Sequence, residues 1–273
     1  MSKEAHQFWQ LLNKAEDLIR EGRVSERPEP VDVEFREHLR QPEADSAAKA
    51  TSTPVTPQSG KTPEAPIAEP GNGPPVSRLP EDGNQSTRER RLAMLEERVH
   101  ACTRCQLHNG RMNAVPGTGV LDPLVLVVGE GPGADEDRRG LPFVGRAGQF
   151  LDKWLDAIGL SRTTNAYISN IVKCRPPDNR DPLPHESEAC LPYLRDQIAL
   201  IRPQTILTVG RIASGVMIGS DTGIGKLRGR TYYYDGIPLV PTYHPSGVLR
   251  NPDLKRPVWE DLKRLRALIP EDE

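Results

Sequence analysis

From residue 93 onward, short apolar runs alternate with helical patterns, and that alternation leaves few folds open to the chain. The runs are Leu124–Val128, Ala166–Val172, Thr205–Val209 and Ile237–Val240. Helical patterns cover Ala93–Val99, Ala147–Ile158, Glu186–Ile201 and Arg211–Ile218, and a closing helix over Pro257–Leu268 carries proline in its first turn. The predicted fold class is α/β, a three-layer α/β/α sandwich around a central four-stranded parallel sheet. In such sheets the functional crevice lies beyond the carboxyl ends of the strands.

The first 92 residues read differently. Phe8, Trp9, Leu11, Leu12, Ala15, Leu18 and Ile19 recur at helical spacing, so residues 5–21 form an amphipathic helix. Its apolar face either packs back on the downstream domain or docks a protein partner. Residues 22–92 hold eleven prolines among Ser, Thr, Ala and Glu. Such a stretch cannot bury enough apolar surface to offset its ordering entropy and reads as a disordered linker. The expected organisation is therefore an N-terminal helix over 1–21, a linker over 22–92 and a folded domain over 93–273. Nothing in the sequence is apolar for long enough to span a membrane, and Met1–His6 lacks the layout of a signal peptide, so a cytoplasmic monomer is expected. Net charge is −2, so any nucleic-acid face must be local. Lys226–Arg230 and Arg250–Arg256 are the basic candidates.

Two features carry chemistry. After the first strand comes VVGEGPGADEDRRGLPFVGRAG, residues 127–148, with six glycines and four acidic residues. Taken alone, a glycine-rich turn of this kind holds a phosphate or merely turns the chain. The four cysteines, Cys102, Cys105, Cys174 and Cys190, all fall in the downstream domain, two of them as C-x2-C. In a cytosolic chain they read as a tetrathiolate site, for Zn²⁺ or an iron–sulfur cluster, or else as free buried thiols. Spacing alone does not choose.

Read in order, Gly129-Glu130-Gly131-Pro132-Gly133, Leu141–Gly148 (LPFVGRAG), Asn170–Pro177 (NIVKCRPP) and His244-Pro245-Ser246 each stand at or after the end of a predicted strand. Together with the four cysteines, this set closely resembles the family 4 uracil-DNA glycosylases, over roughly residues 93–270. The resemblance implies a uracil-DNA glycosylase-like fold, a 4Fe–4S cluster on Cys102, Cys105, Cys174 and Cys190, and uracil-containing DNA as substrate. It also implies roles. Gly129, Gly131 and Gly133 let the main chain approach base and sugar. Glu130 orients water and stabilises positive charge on the sugar. Phe143 stacks on the flipped base, and Asn170 reads its edge. Glu136 crowds the C5 side against thymine's methyl group. His244 donates to uracil O2 as charge builds there, while Leu249 and Arg250 form the wedge that fills the vacated stack. Gly247 stands where the family usually has a bulky aromatic. Arg175 and Arg180 are placed to meet phosphates.

These readings lead to a monofunctional hydrolase that starts base excision repair and leaves an abasic site. The site motifs offer no Schiff-base lysine, so strand cleavage by β-elimination is not expected. The rivals are a related superfamily glycosylase with another damaged-base preference and a non-catalytic DNA- or metal-binding protein. The covalent branch of the superfamily would need an extra basic loop carrying a histidine, and the segment between Cys174 and Cys190 has no such insertion.

Overall fold

The computed structural model describes residues 84–270. The amphipathic segment 5–21 and all but the end of the proline-rich stretch lie outside the described residues. The first helix, α1, spans Gln85–His100. Asn84 caps it, its Oδ1 accepting from the Thr87 amide and hydroxyl at 2.9 Å each. The helix starts eight residues before Ala93, so the boundary drawn at 92/93 falls inside it. The sequence hides this start because QSTRERR, residues 85–91, has no apolar face. What fixes the first two turns is polar: Arg88 forms a two-pronged ion pair with Asp122 at 2.5 and 2.7 Å and reaches the Leu200 carbonyl.

The sheet is built from β1 (Thr118–Gly119), β2 (Val125–Gly129), β3 (Ala166–Asn170), β4 (Thr205–Val209), β5 (Tyr232–Tyr234) and β6 (Ile237–Thr242). Its order is β1-β3-β2-β4-β6-β5. The inner four strands run parallel, as expected. The two edge strands are antiparallel and were not anticipated, so the sheet is six-stranded and mixed. β1 is only two residues long, and β5 joins β6 through the tight turn at Asp235 and Gly236, both with positive φ.

Every residue of β2, β3 and β4 is buried. Side chains alternate between two cores, which is why these strands read as unbroken apolar runs. Leu126 and Val128 join one core with α1, α4 (Pro184–Ile201) and α5 (Arg211–Ile218). Val125 and Val127 join the other with α3 (Arg146–Ala157) and α8 (Lys255–Arg266). Helices thus cover both faces, giving the three layers. Three short helices sit near the strand ends: α2 (Ala134–Arg139), α6 (Ile224–Leu227) and α7 (Pro245–Arg250). After β2 the chain crosses to β3 on one side, then returns past β2 to β4 on the other. The crevice of this switch point opens above Gly129, between Asn170 and the loop after β6. Among the described residues no helix is long and apolar enough to cross a membrane.

Candidate active site

Gly129 ends β2 directly beside Asn170, which ends β3. A Cβ added at Gly129 would lie 2.4 Å from Asn170 Oδ1 and 2.5 Å from Phe143 Cζ. The missing side chain therefore lets the Asn170 amide and the Phe143 ring both close over the Gly129 backbone. The other two glycines of the turn serve different neighbours. A Cβ at Gly131 would meet Val172 Cγ2 at 2.7 Å, and one at Gly133 would meet Glu136 Oε2 at 2.8 Å. All three let the turn close on its own protein neighbours, and at Gly129 those neighbours are two of the expected base-binding side chains.

Phe143 has φ +53°, a left-handed backbone that a bulky residue rarely adopts. Three devices hold it. Glu136 accepts from the amides of Val144 and Gly145 at 2.8 and 2.9 Å with one oxygen, and from Gly133 N at 3.2 Å with the other. Arg162 donates to the carbonyls of Pro142 and Phe143 at 2.9 Å each and is itself oriented by Asp152. Gly148 lets α3 lie against the Phe143 carbonyl; a Cβ there would come within 1.9 Å of that oxygen. The Glu136 carboxylate thus clamps the Phe143 loop through backbone amides. Arg162 and Asp152 were missed altogether, because a basic residue in a connecting loop carries no motif.

Asn170 is buried, and its Oδ1 has no hydrogen-bond partner. A buried acceptor left open in this way calls for a donor from elsewhere. The rings of Phe143 and His244 lie 5.8 Å apart at an interplanar angle of 33°. The tautomer of His244 follows from its neighbour. The Ser246 amide can only donate, and it points at Nδ1 at 3.2 Å, with Ser246 Oγ at 2.7 Å. Nδ1 is thus the acceptor, and the ring proton belongs on Nε2. Burial, helped by Arg250, pushes the imidazole down to about 4, so it is neutral at physiological pH. The strand leading to it is anchored by Asp261, which accepts from Thr242 Oγ1 at 2.7 Å and from Arg228 at 2.8 Å.

Glu130 lies in the turn, half-buried. Burial raises its carboxyl to about 7, with Asp181 adding to the rise and Arg211 opposing it. Asp181 and Arg211 pair with each other at the rim. Arg180 is engaged with buried Glu186 at 2.7 and 2.8 Å, and Arg175 with Asn179 at 2.8 Å. Arg180 is thus paired within the protein while its side chain stays partly exposed. On α7, Val248 is buried while Leu249 is 42% exposed and Arg250 is also exposed. A Cβ at Gly247 would meet nothing within 4 Å, so open space stands where an aromatic is usual.

The four cysteines come together on the α1 and α4 side. Cys102, Cys105, Cys174 and Cys190 line one small pocket, with Arg104, His108, Lys173 and Tyr193. Among the described residues no three His, Cys, Asp or Glu side chains are placed to hold a single metal ion. Donors face the sulfurs: Arg111 Nη1 reaches Cys174 Sγ at 2.9 Å, the Lys173 amide reaches Cys190 Sγ at 3.3 Å and the Arg104 amide reaches Cys102 Sγ at 3.5 Å. Burial pushes the Cys190 thiol up to about 11 and raises Cys174 too, so only a bound cation would hold them as thiolates at neutral pH. Lys173 lies in the NIVKCRPP motif, and its Nζ donates to Ser169 Oγ, the Asn170 carbonyl and Gln197 Oε1.

Comparison with known proteins matches residues 116–263 to the family model described as the uracil DNA glycosylase superfamily. The Type-4 uracil-DNA glycosylase of Thermotoga maritima is 43% identical over 190 residues, covering 68% of this chain and 98% of that protein. That of Saccharolobus solfataricus is 41% identical over 187 residues, 65% of this chain and 86% of that protein. The Type-5 uracil-DNA glycosylase of Pyrobaculum aerophilum is 33% identical over 149 residues, 48% of this chain and 65% of that protein.

Proposed function

The chain belongs to the uracil-DNA glycosylase superfamily, and from that premise we propose that it is an iron–sulfur uracil-DNA glycosylase that takes uracil out of the DNA stack and hydrolyses its N-glycosidic bond. The observation that carries the reading is the buried, open acceptor of Asn170 at the end of β3, with the ring of Phe143 beside it over Gly129. Uracil offers N3–H to that acceptor, while the Asn170 amide donates to O4. Phe143 stacks on the base. As the C1′–N1 bond lengthens, negative charge collects on the uracil, and the His244 Nε2–H donates to O2. Being neutral, the imidazole supplies a donor without first giving up a proton, and one such donor is worth about 10²–10³-fold in rate. Glu130 serves the other half of the bond, where its carboxylate orients water and faces positive charge on the sugar. Leu249 fills the vacated stack, with Arg250 beside it. Glu136 acts on the base through the Phe143 loop. A uracil-containing oligonucleotide incubated with the protein and then treated with alkali tests the reading: cleavage at the uracil position is expected. No cleavage there, on paired and single-stranded substrates alike, would defeat it.

Glu130 gives the reaction a pH dependence. The ionised carboxylate is the working form, and its pKa is raised to about 7. Activity therefore falls as pH drops through 7 and levels off above it. His244 is neutral across that range and adds no second limb. We expect kcat/KM to rise about tenfold for each unit below pH 7, and this limb to vanish in Glu130→Gln, whose residual rate is flat. An unchanged pH profile in the variant would remove Glu130 from the water side.

The cysteine set fits a 4Fe–4S cluster: four sulfurs ring one cavity and three protein donors face them. Cys102, Cys105, Cys174 and Cys190 would hold it, and bound there it would cross-link the end of α1, the loop after β3 and α4. Hydrolysis needs no electron transfer, so its role is structural. The purified protein should be yellow-brown, with iron and acid-labile sulfide. Colourless, active protein from iron-replete cells would sink the assignment.

The domain reading is kept with a moved boundary. Removal of residues 1–83 should leave excision on short oligonucleotides near the full-length rate, since every site residue lies downstream. Removal of residues 1–92 deletes Arg88 and its ties to Asp122 and Leu200. The shorter chain should melt several degrees lower, as roughly 1–3 kcal/mol is lost with a part-buried, two-pronged charge pair. Equal melting temperatures for the two truncations would show that α1 contributes nothing before residue 93.

A further inference from the structure

Lys173 is among the largest fully buried side chains, and hydrolysis gives it no task. Its Nζ lies 2.6 Å from Ser169 Oγ, 2.8 Å from the Asn170 carbonyl and 2.7 Å from Gln197 Oε1. Lys173 also lines the same pocket as the four cysteines, and its own amide donates to Cys190 Sγ. The one residue thus touches the cysteine site with its backbone and the Asn170 carbonyl with its side chain.

The segment around it joins two places. Asn170 lies at one end of a short strap and Cys174 at the other. Between them the Ile171 amide donates to the Gly129 carbonyl at 2.9 Å and the Val172 amide to the Glu130 carbonyl at 3.1 Å. On the far side of Lys173, its carbonyl accepts from Val115 N at 2.7 Å. The strap thus carries both the base-reading amide and the turn that holds Glu130. Its one long polar side chain folds back to grip the Asn170 carbonyl and braces on Ser169 and Gln197. These are in turn fixed to the Pro116 carbonyl at 2.9 and 2.8 Å.

We propose that Lys173 is a positioning residue that couples the four-cysteine site to Asn170 and to the Gly129–Glu130 turn, so that the iron–sulfur site sets the geometry of base recognition. The inference rests on the functional reading above, and its test separates the two. Lys173→Met keeps the length and removes charge and donors. In the full chain, with visible absorption retained, uracil excision should fall by about 10–100-fold, as expected when a reading group is displaced by a fraction of an ångström. Amide hydrogen exchange at Ile171 and Val172 should quicken by at least about tenfold while α8 stays unchanged. In an Asn170→Ala background the same substitution should cost less than about threefold more, because it acts through a group already removed. Wild-type exchange at both amides, or a full additive loss in the double variant, would overturn the coupling. Should Lys173→Met fail to fold, Ser169→Ala removes one brace and keeps the lysine. Faster exchange at the same two amides is then expected, and wild-type exchange there overturns it equally. A wild-type chain that leaves uracil in place defeats the functional reading, whereas the exchange measurement reports on the strap whether or not uracil is excised.

Discussion

Asn170→Asp is expected to lose most uracil excision and to gain weak cytosine excision at low pH, while Asn170→Ala loses uracil without any gain. The reason lies in complementary edges. Uracil presents an acceptor at O4 and a donor at N3, and one amide satisfies both. Cytosine presents a donor at N4 and an acceptor at N3, so the amide meets donor with donor and acceptor with acceptor. Asn170 is buried, and its Oδ1 has no partner within the protein, so a mismatch there has no water to relieve it. Each unsatisfied buried group costs about 1–3 kcal/mol, and two of them with a lost leaving-group contact reach roughly 10³-fold. An ionised aspartate repels O4 and supplies no donor. Burial raises the carboxyl pKa, so a protonated acid becomes accessible below neutrality. That acid can accept from cytosine N4–H and donate to N3. Single-turnover rates on uracil and cytosine oligonucleotides between about pH 5 and 8 decide the matter. A folded Asn170→Asp protein that excises uracil at the wild-type rate would remove Asn170 from base reading.

How much of this was visible in the sequence depends on the kind of interaction. The inner parallel strands were legible because Leu126/Val128 and Val125/Val127 alternate between two cores, and no polar face interrupts the run. Arg211–Ile218 and Thr205–Val209 were bounded correctly by the glycine and proline around them. The edges were not legible. Thr118–Gly119 is too short to carry a period, and α1 begins in a charged stretch whose anchor, Asp122, lies 34 residues away. Within the site, the motifs marked Gly129, Phe143, Asn170 and His244, which the fold brings to one crevice. What they could not convey was the hardware around them. Arg162 grips a carbonyl 19 residues upstream, and Lys173 braces on Gln197 24 residues downstream. Such pairings leave no local pattern, because either partner alone reads as an ordinary polar residue. Glu136 was noticed for its position in the acidic cluster, yet its bonds to Val144 and Gly145 depend on a loop closure that spacing cannot reveal.

Gly129→Ala is expected to lose most excision in a chain that still folds. The backbone at Gly129 is not left-handed, so alanine fits its conformation; in an open site that exchange is worth about 0.4–1 kcal/mol in favour of the folded state. The methyl group, however, would stand 2.4 Å from Asn170 Oδ1, 2.5 Å from Phe143 Cζ and 2.7 Å from Phe143 Cε2. Neither neighbour can ignore it. The Asn170 side chain is buried at the end of β3, and the Phe143 backbone is fixed by Glu136 and Arg162. Both side-chain tips must therefore move off the Gly129 backbone. The amide and the stacking face are displaced together, and a displacement of about 1 Å costs about 10²-fold in rate. We expect excision to fall by at least about 10²-fold, with KM rising and the melting temperature lower by several degrees, since overpacking a buried site costs about 1–3 kcal/mol. Gly110→Ala, where an added Cβ meets nothing within 4 Å, is the matched control and should leave both quantities unchanged. If Gly129→Ala instead unfolds the protein, the glycine serves packing rather than the base. If it folds and excises uracil at the wild-type rate, Asn170 and Phe143 do not contact the base.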